Sequence, residues 1–270
     1  MGIKLASQLF IVRHEAEKDL FAVLKKLSGL GFDGVEFLGF FGKTPTEIRR
    51  QMDSLSMHAV GNHVSAEVFL ANPQKLIDDH KELDCKYITI PWVGSRSAPG
   101  SAEFAESIEK LKHLAHLCRE NGIIPLYHNH AHEFEGVTVM DEILDSCEEL
   151  CFEPDVGWMM IKQVDPEKYL GKYMNRCPII HIKDVYAKDW SKIGLSKELG
   201  TQKADPEKGY FEFRPTGYGM LNLPALMPLC LACNPEWLVP DHDLAYDRDS
   251  YYDLKLGLDY TRALLKICGN

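Results

Sequence analysis

Histidine and acidic side chains follow several short apolar runs of the sequence, and these two residue types can together bind a divalent metal ion. The clearest positions are His128, Asp155, His181 and Asp241, each close to the end of such a run. Imidazole and carboxylate groups form the ligand mixture that suits manganese, iron, cobalt or zinc. A lone histidine is more often a hydrogen-bonded core residue, and a lone aspartate is more often a helix cap. The hypothesis therefore depends on whether the fold brings these four residues together.

The apolar runs predict eight strands, and longer stretches suited to helices separate most of them. The runs cover residues 3–10, 34–38, 57–63, 87–91, 123–128, 151–155, 179–182 and 237–241. Apolar residues spaced three and four apart predict helices over 19–30, 104–121 and 140–150. Eight strand–helix alternations predict an α/β fold of the (β/α)8 TIM barrel type.

In such a barrel the carboxyl ends of all strands meet at one rim, so the four candidate ligands would lie in one small volume. An open doubly wound sheet is the main alternative. It would more often carry a glycine-rich phosphate loop after its first strand, and no G-x-G-x-x-G follows Phe10. We expect a single domain over residues 1–270, with a long loop after strand seven at about 184–221. That segment is rich in lysine, aspartate, glycine and proline.

Composition limits the classes of partner. The 270 residues carry a formal net charge of −10, which argues against a protein that holds nucleic acid along its whole surface. The apolar runs are too short to cross a bilayer, and no leader segment is recognised at the amino terminus, so we expect a cytoplasmic protein. The eight cysteines are then expected to be reduced thiols. The one CxxC pair, Cys230 and Cys233, lies in an apolar run and is interpreted as structural rather than redox-active or metal-binding.

The polar strand ends resemble those of the xylose isomerase-like TIM barrels, the sugar phosphate isomerase/epimerase superfamily that also contains endonuclease IV. The resemblance covers nearly the whole chain, and its most specific motifs are YHNH at 127–130 and HIKD at 181–184. Further matching segments are 8–10, 31–37, 61–63, 152–158 and 217–219.

The resemblance implies one bound divalent ion, with His128, Asp155, His181 and Asp241 as its ligands. Manganese is the expected ion, and zinc and iron(II) are alternatives. Many members of the superfamily have glutamate at the positions of His128 and Asp241. In the epimerases those two glutamates also act as the paired acid and base. A symmetric two-glutamate epimerisation is therefore not expected, whereas removal of a proton next to a carbonyl is.

For proton transfer the candidates are Asp241 and His63, and Lys183 is expected to hold substrate or an enolate oxygen. Substrate contacts are expected from side chains at or near the strand ends. These are Gln8, Glu36, Trp92, His130, Trp158 and Arg214. Each has a plainer alternative. It is barrel packing for the two indoles, a buried polar residue for Gln8 and Glu36, support of the site from its rim for His130, and a solvent-exposed side chain for Arg214.

The function expected from these residues is a metal-dependent isomerase or epimerase that acts on a keto-sugar or cyclitol. A close alternative is a lyase that cleaves 3-keto-glycosides by elimination, which needs only one well-placed base. Another is a non-catalytic sugar-binding or partner subunit on a degenerate barrel. Nucleic-acid repair is disfavoured, because it requires additional histidines and a basic face, and Trp158 occupies a position where many relatives have histidine. A small sugar or polyol is the expected partner, and a homo-oligomer is left open.

Overall fold

Nine strands and ten α-helices make up the computed structural model, which describes residues 2–92, 99–134, 139–195 and 211–269. The strands are β1 (Lys4–Gln8), β2 (Gly34–Phe37), β3 (His58–His63), β4 (Tyr87–Ile90), β5 (Ile124–His128), β6 (Cys151–Glu153), β7 (Ile179–Ala187), β8 (Phe211–Arg214) and β9 (Trp237–Asp241). The helices are α1 (Arg13–Leu30), α2 (Pro45–Ser54), α3 (Ala66–Ala71), α4 (Pro73–Leu83), α5 (Ala102–Glu120), α6 (Val139–Ser146), α7 (Val156–Ile161), α8 (Pro166–Tyr173), α9 (Leu223–Ala232) and α10 (Ser250–Ile267).

The sheet is a closed barrel of eight parallel strands, which confirms the predicted TIM-barrel fold and excludes the open sheet. Its strands run in the order β6-β5-β4-β3-β2-β1-β9-β7, and β8 pairs with β7 outside the barrel. The ring closes between β6 and β7. A parallel bridge joins Asp155 to His181 there, and the backbone N–H of His181 donates to the carbonyl of Pro154 at 2.9 Å.

Successive side chains along each strand point alternately into the barrel and outward to the layer beneath the helices. On β7, Ile179 belongs to a small apolar cluster inside the barrel, whereas Ile180 and Ile182 pack in the large core that contacts the helices. His181 and Lys183 share the parity of Ile179, so they also point inward, closer to the carboxyl end. By the same alternation, β2, β5, β6 and β9 also point polar side chains into the barrel near their carboxyl ends. The barrel thus has an apolar floor and a polar mouth.

The predicted helices agree with the structure except at their ends. Within α1, Asp19 departs from helical geometry (φ −154°, ψ 89°), and its side chain accepts a hydrogen bond from the N–H of Ala22. Asp19 thus begins the segment over which a helix was predicted. The prediction of a helix to residue 150 was too long, because α6 ends at Ser146 and a turn from Cys147 to Leu150 leads into β6.

The segment at 184–221 is not the simple loop expected from its composition. β7 continues to Ala187 and pairs antiparallel with β8, so that Ala187 faces Phe211. The prediction overlooked β8 because only Phe211 and Phe213 mark it, alternating with outward Glu212 and Arg214. Residues 196–210 lie outside the described part of the chain.

The carboxylate of Asp184 holds the end of this segment against β7. Its oxygens accept backbone N–H bonds from Gly217, Gly219 and Leu221 at 2.9–3.1 Å. A Cβ at Gly219 would lie only 2.1 Å from Asp184 Oδ1, so the turn requires glycine at that position.

Two other expectations concern the helices and the thiols. Over the described ranges, no helix combines the length and the apolarity needed to cross a membrane. Cys230 and Cys233, at the end of α9, are buried free thiols.

Candidate metal centre

A cavity of about 310 Å³ opens at the carboxyl ends of the barrel strands. One wall is apolar and the other carries imidazole, ammonium and carboxylate groups. Its lining residues are Gln8, Phe10, Leu38, His63, Pro91, Trp92, His128, His130, His181, Lys183, Asp241 and Asp243.

Two buried glutamates fix the orientation of the imidazoles of His128 and His181. His128 Nδ1 lies 3.0 Å from Glu153 Oε1, and His181 Nε2 lies 2.9 Å from Glu36 Oε2. Each imidazole therefore donates one N–H to a carboxylate. The lone pair of the other nitrogen is free in His128. Burial would lower the pKa of His181, but Glu36, Asp241 and Glu153 raise it well above its usual value, so a metal ion would have to displace the proton on His181 Nδ1. This pairing of carboxylate and imidazole is characteristic of histidines that bind metal ions.

The other nitrogens of these two imidazoles face the carboxylates of Asp155 and Asp241. Asp155 Oδ1 accepts from the backbone N–H groups of Gly157 and Trp158 at 2.9 and 3.2 Å and so caps α7. Asp155 Oδ2 has no hydrogen-bond donor and lies 3.9 Å from Nε2 of His128. On the other side, His181 Nδ1 lies 3.4 Å from Asp241 Oδ2.

This set of atoms fits a divalent cation. Asp155, His181 and Asp241 each offer a ligand atom, and these atoms lie within 4.8 Å of one another. Asp155 Oδ2, His181 Nδ1 and Asp241 Oδ1 are all buried without a hydrogen bond, a costly state that a cation would relieve. Two carboxylates and one or two neutral imidazoles suit manganese, iron or zinc. The described residues thus include a cluster that could hold one metal ion.

The protonation preferences of the cluster indicate a strongly negative site. Burial would raise the pKa of Asp241, but Lys183 and His181 hold it below its usual range. Burial would likewise lower the pKa of Lys183, but the carboxylates of Asp241, Asp243 and Asp155 raise it instead. By contrast, burial lowers the pKa of His128 to about 3, which keeps that imidazole neutral and available as a ligand.

His63 lies beside this cluster and lines the cavity. Its Nε2 is 2.9 Å from Glu153 Oε1 and 3.1 Å from Glu36 Oε2. Burial would lower the pKa of His63, but the two carboxylates raise it to about 9. His63 is not one of the four candidate ligands, but one of its nitrogens lies within 4.8 Å of possible ligand atoms on His128, Glu153 and His181.

Three of the six expected substrate-binding residues line the cavity: Gln8, Trp92 and His130. The side-chain oxygen of Gln8 accepts from the backbone N–H of Phe10 and caps the short helix that follows β1. His130 stands in a loop held by Glu133, whose carboxylate accepts from the backbone N–H of His130 at 2.8 Å.

The other three expected residues lie elsewhere. Glu36 is wholly buried beneath the imidazoles. Trp158 is also buried, and its ring packs edge-on against Phe211 and Phe213. Arg214 lies on β8, where it pairs with Glu212 at 2.7 Å. Glu36 and Trp158 thus support the site from below and behind, where sequence reasoning had expected contacts with substrate.

Two residues of the site were not singled out from the sequence. Glu153 is two residues before Asp155, so strand alternation places both side chains inside the barrel, and that period was the available signal. Asp243 pairs with Lys183 from the loop after β9. Its two-residue spacing from Asp241 was visible in the sequence. Side-chain alternation does not extend into a loop, however, so the spacing did not predict which way the side chain of Asp243 points.

The chain matches the family model described as xylose isomerase-like TIM barrel over residues 24–232. Among curated proteins it is similar to an inosose dehydratase of Geobacillus kaustophilus, with 24% identity over 194 residues. That match covers 60% of this chain and 61% of the length of the dehydratase.

Solved structures share the fold at low identity. A sugar phosphate isomerase/epimerase from Parabacteroides distasonis superposes with a TM-score of 0.73 at 18% identity, covering 97% of this chain and 94% of the other. A probable 3-DHS dehydratase from Bacillus anthracis gives a TM-score of 0.70 at 11% identity, with 99% of each chain covered. With the family match extending over most of the barrel, we conclude that the chain belongs to the xylose isomerase-like TIM barrel family.

Proposed function

We propose that this protein is a divalent-metal-dependent enzyme that removes a proton next to the carbonyl of a keto-sugar or keto-cyclitol. The observation that carries the proposal is the set of buried, unpartnered ligand atoms on Asp155, His181 and Asp241, with His128 Nε2 beside them. Similar proteins named as an inosose dehydratase, a sugar phosphate isomerase/epimerase and a probable 3-DHS dehydratase support a sugar-modifying activity in general terms.

His128, Asp155, His181 and Asp241 would hold the ion, and manganese suits their imidazole and carboxylate groups, with zinc and iron(II) as alternatives. A bound divalent cation would stabilise negative charge that develops on a substrate oxygen. The protein prepares this site by fixing both imidazoles through Glu36 and Glu153 before any ligand arrives.

The remaining roles fall to residues that line the cavity. His63 is the candidate for proton transfer, because it borders the cavity and is not one of the four candidate ligands. With its pKa raised to about 9, His63 must lose its own proton before it can accept one from substrate, so proton exchange should be faster towards pH 9. Lys183 would hold a substrate oxygen beside Asp241, its partner at 3.1 Å. Asp241 contacts both Lys183 and His181, so its role as a ligand is better supported than its role as a free base.

Elimination is the second candidate reaction, and one feature of the site favours it. His128 and Asp241 stand where epimerases have two glutamates, and His128 donates its Nδ1 proton to Glu153. Only one side of the cavity then offers a base. One group suffices for elimination if it takes the proton from the carbon next to the carbonyl and returns it to the departing oxygen, which leaves as water or, from a 3-keto-glycoside, as an alcohol. Two of the similar proteins are named as dehydratases, and a dehydration is an elimination of this kind.

Proton exchange tests the shared first step. Manganese-loaded protein would be incubated in D₂O with keto-sugars, keto-cyclitols and 3-keto-glycosides, and deuterium at the carbon next to the carbonyl would be followed by NMR. We expect exchange in the wild type, none in His63→Gln, and wild-type exchange in the surface control Asp259→Asn. Metal binding without exchange of any keto compound would favour a sugar-binding subunit. Inverted product would indicate epimerisation, and a new double bond would indicate elimination.

A further inference from the structure

The polar wall of the cavity and the buried layer beneath it carry more negative than positive charge. Five carboxylates are linked by direct contacts to the imidazoles and the ammonium of this wall: Glu36, Glu153, Asp155, Asp241 and Asp243. Lys183 is the single lysine or arginine among the described residues that line the cavity. A divalent cation adds two positive charges, His63 adds at most one, and His181 adds none once it binds the ion. The carboxylates still outnumber the cations, so the field at the mouth of the barrel opposes a second anion.

The ammonium of Lys183 is already neutralised by its neighbours. It lies 3.1 Å from Asp241 Oδ2 and 3.5 Å from Asp155 Oδ2, and it also pairs with Asp243. The side chain is only 2% exposed, with the indole of Trp158 packed against its ammonium. A phosphate or carboxylate of a substrate would have to compete with three fixed carboxylates for this one cation.

Arg13, which contacts the cavity residue Phe10, and Arg214, expected from the sequence to contact substrate, are also engaged elsewhere. The guanidinium of Arg13 stacks at 4.0 Å on the ring of Phe10 and donates to the backbone carbonyl of the same residue. Arg214 pairs with Glu212 on β8. Neither side chain belongs to the lining of the cavity as the structure describes it.

The opposite wall is apolar and comes from the first, second and fourth strand ends. It consists of Phe10, Leu38, Pro91 and Trp92. Such a surface accepts the C–H face of a ring or an apolar substituent. The volume of about 310 Å³ lies at the small end of the range for ligand pockets, which suits a compact molecule.

We propose that the cavity takes an uncharged keto-polyol with one apolar face, and that Asp243 excludes phosphorylated and carboxylated analogues by neutralising Lys183. This inference rests on the proposed function for the carbonyl chemistry, but the preference for an uncharged ligand is a separate property of the cavity. It differs from what the name of the Parabacteroides relative, a sugar phosphate isomerase/epimerase, would suggest.

Calorimetry on manganese-loaded protein tests the preference with two matched pairs: D-fructose with D-fructose 6-phosphate, and myo-inositol with myo-inositol 1-phosphate. Heats of each ligand titrated into manganese buffer are subtracted. We expect the neutral member to bind at least about tenfold more tightly, and inorganic phosphate not to compete with it. Equal or tighter binding of a phosphorylated member, competition by inorganic phosphate, or no binding of either neutral compound would overturn the proposal.

A charge variant tests the role of Asp243. In Asp243→Asn the ammonium of Lys183 loses one of its three carboxylates, so the preference for the neutral member should shrink about tenfold. Asp259→Asn on α10 removes the same charge from an exposed ion pair with Lys255 and should leave the preference unchanged. An unchanged preference in Asp243→Asn would contradict the role given to that residue.

The binding and exchange experiments separate the two proposals. A neutral preference without any deuterium exchange would count against the proposed reaction and leave the preference standing. Deuterium exchange into a phosphorylated keto-sugar that binds as tightly as its neutral partner would support the proposed reaction. It would also overturn the preference for an uncharged ligand.

Discussion

Glu153 Oε1 lies 3.0 Å from His128 Nδ1, and this contact decides which nitrogen of His128 is free. Glu153 Oε1 also lies 2.9 Å from His63 Nε2. Glu153 Oε2 accepts from the hydroxyl of Thr89 at 2.8 Å. Burial would raise the pKa of Glu153, but these imidazoles hold it well below its usual range. An ionised, fully hydrogen-bonded Glu153 thus orients the candidate ligand from beneath.

Replacing Glu153 with glutamine should weaken metal binding. The amide accepts fewer imidazole N–H bonds and carries no charge, so His128 is less strongly held with Nε2 towards the site. We expect the affinity for manganese to fall about 10- to 100-fold, measured by calorimetry, with the fold retained. Glu236→Gln, at the opposite end of the barrel where Glu236 pairs with Lys86, is the matched control. Unchanged affinity in Glu153→Gln would contradict the orienting role.

His63→Gln should separate catalysis from metal binding. His63 lines the cavity but is not one of the four candidate ligands, so the variant should retain its metal. Deuterium exchange should fall at least about 100-fold, the usual range for loss of a general acid or base. Atomic absorption on the same sample measures the metal. Loss of the metal along with exchange would instead make His63 part of the ion's coordination.

Trp158→Ala should destabilise the barrel, because this indole is buried among Phe211, Phe213 and Lys183. The cost of removing a buried tryptophan is about 3–5 kcal/mol, which urea unfolding can measure. Tyr252→Ala is the control, since that ring is 62% exposed and should matter by less than about 0.5 kcal/mol. A stable Trp158→Ala with weakened sugar binding would restore the substrate-stacking role expected from the sequence.

Stability should decrease as the pH falls from about 6.5 to about 4, in part because of His80. Burial lowers the pKa of His80 to about 4, against the effects of the Leu76 carbonyl and of Asp79. In the unfolded chain the pKa of a histidine is near 6.5. Between about pH 6.5 and 4 this histidine is therefore protonated in the unfolded chain but not in the folded chain, which favours unfolding by up to about 3 kcal/mol. Urea midpoints at pH 7.5 and 4.5 measure this loss. In His80→Gln the loss should be smaller by that amount, and an equal loss would exclude His80 as a cause.

Much of the fold could be predicted because strand alternation and length are local signals. The run at 237–241 matches β9 in both bounds, and His128, Asp155, His181 and Asp241 stand at ends that a barrel must bring together. By contrast, β8 forms because it pairs with the extension of β7. This is a long-range contact that cannot be predicted from the four residues of β8 alone.

The supporting part of the site was less predictable. Strand parity shows that Glu36 and Glu153 point inward, but it does not show at what depth they meet His181 and His128. Glu36 was therefore expected at the substrate, although it lies under His181. Trp158 was likewise expected in the cavity, because the sequence does not reveal that α7 turns its ring towards β8.

Metal stoichiometry is the most direct test of the proposed metal site. Protein purified without added metal, and again after incubation with manganese or zinc, would be measured by elemental analysis beside the double variant Asp155→Ala/His181→Ala. We expect close to one equivalent of a divalent metal in the wild type and its loss in the variant, with circular dichroism showing both folded. No bound metal in the wild type after incubation, or equal metal in both proteins, would contradict it.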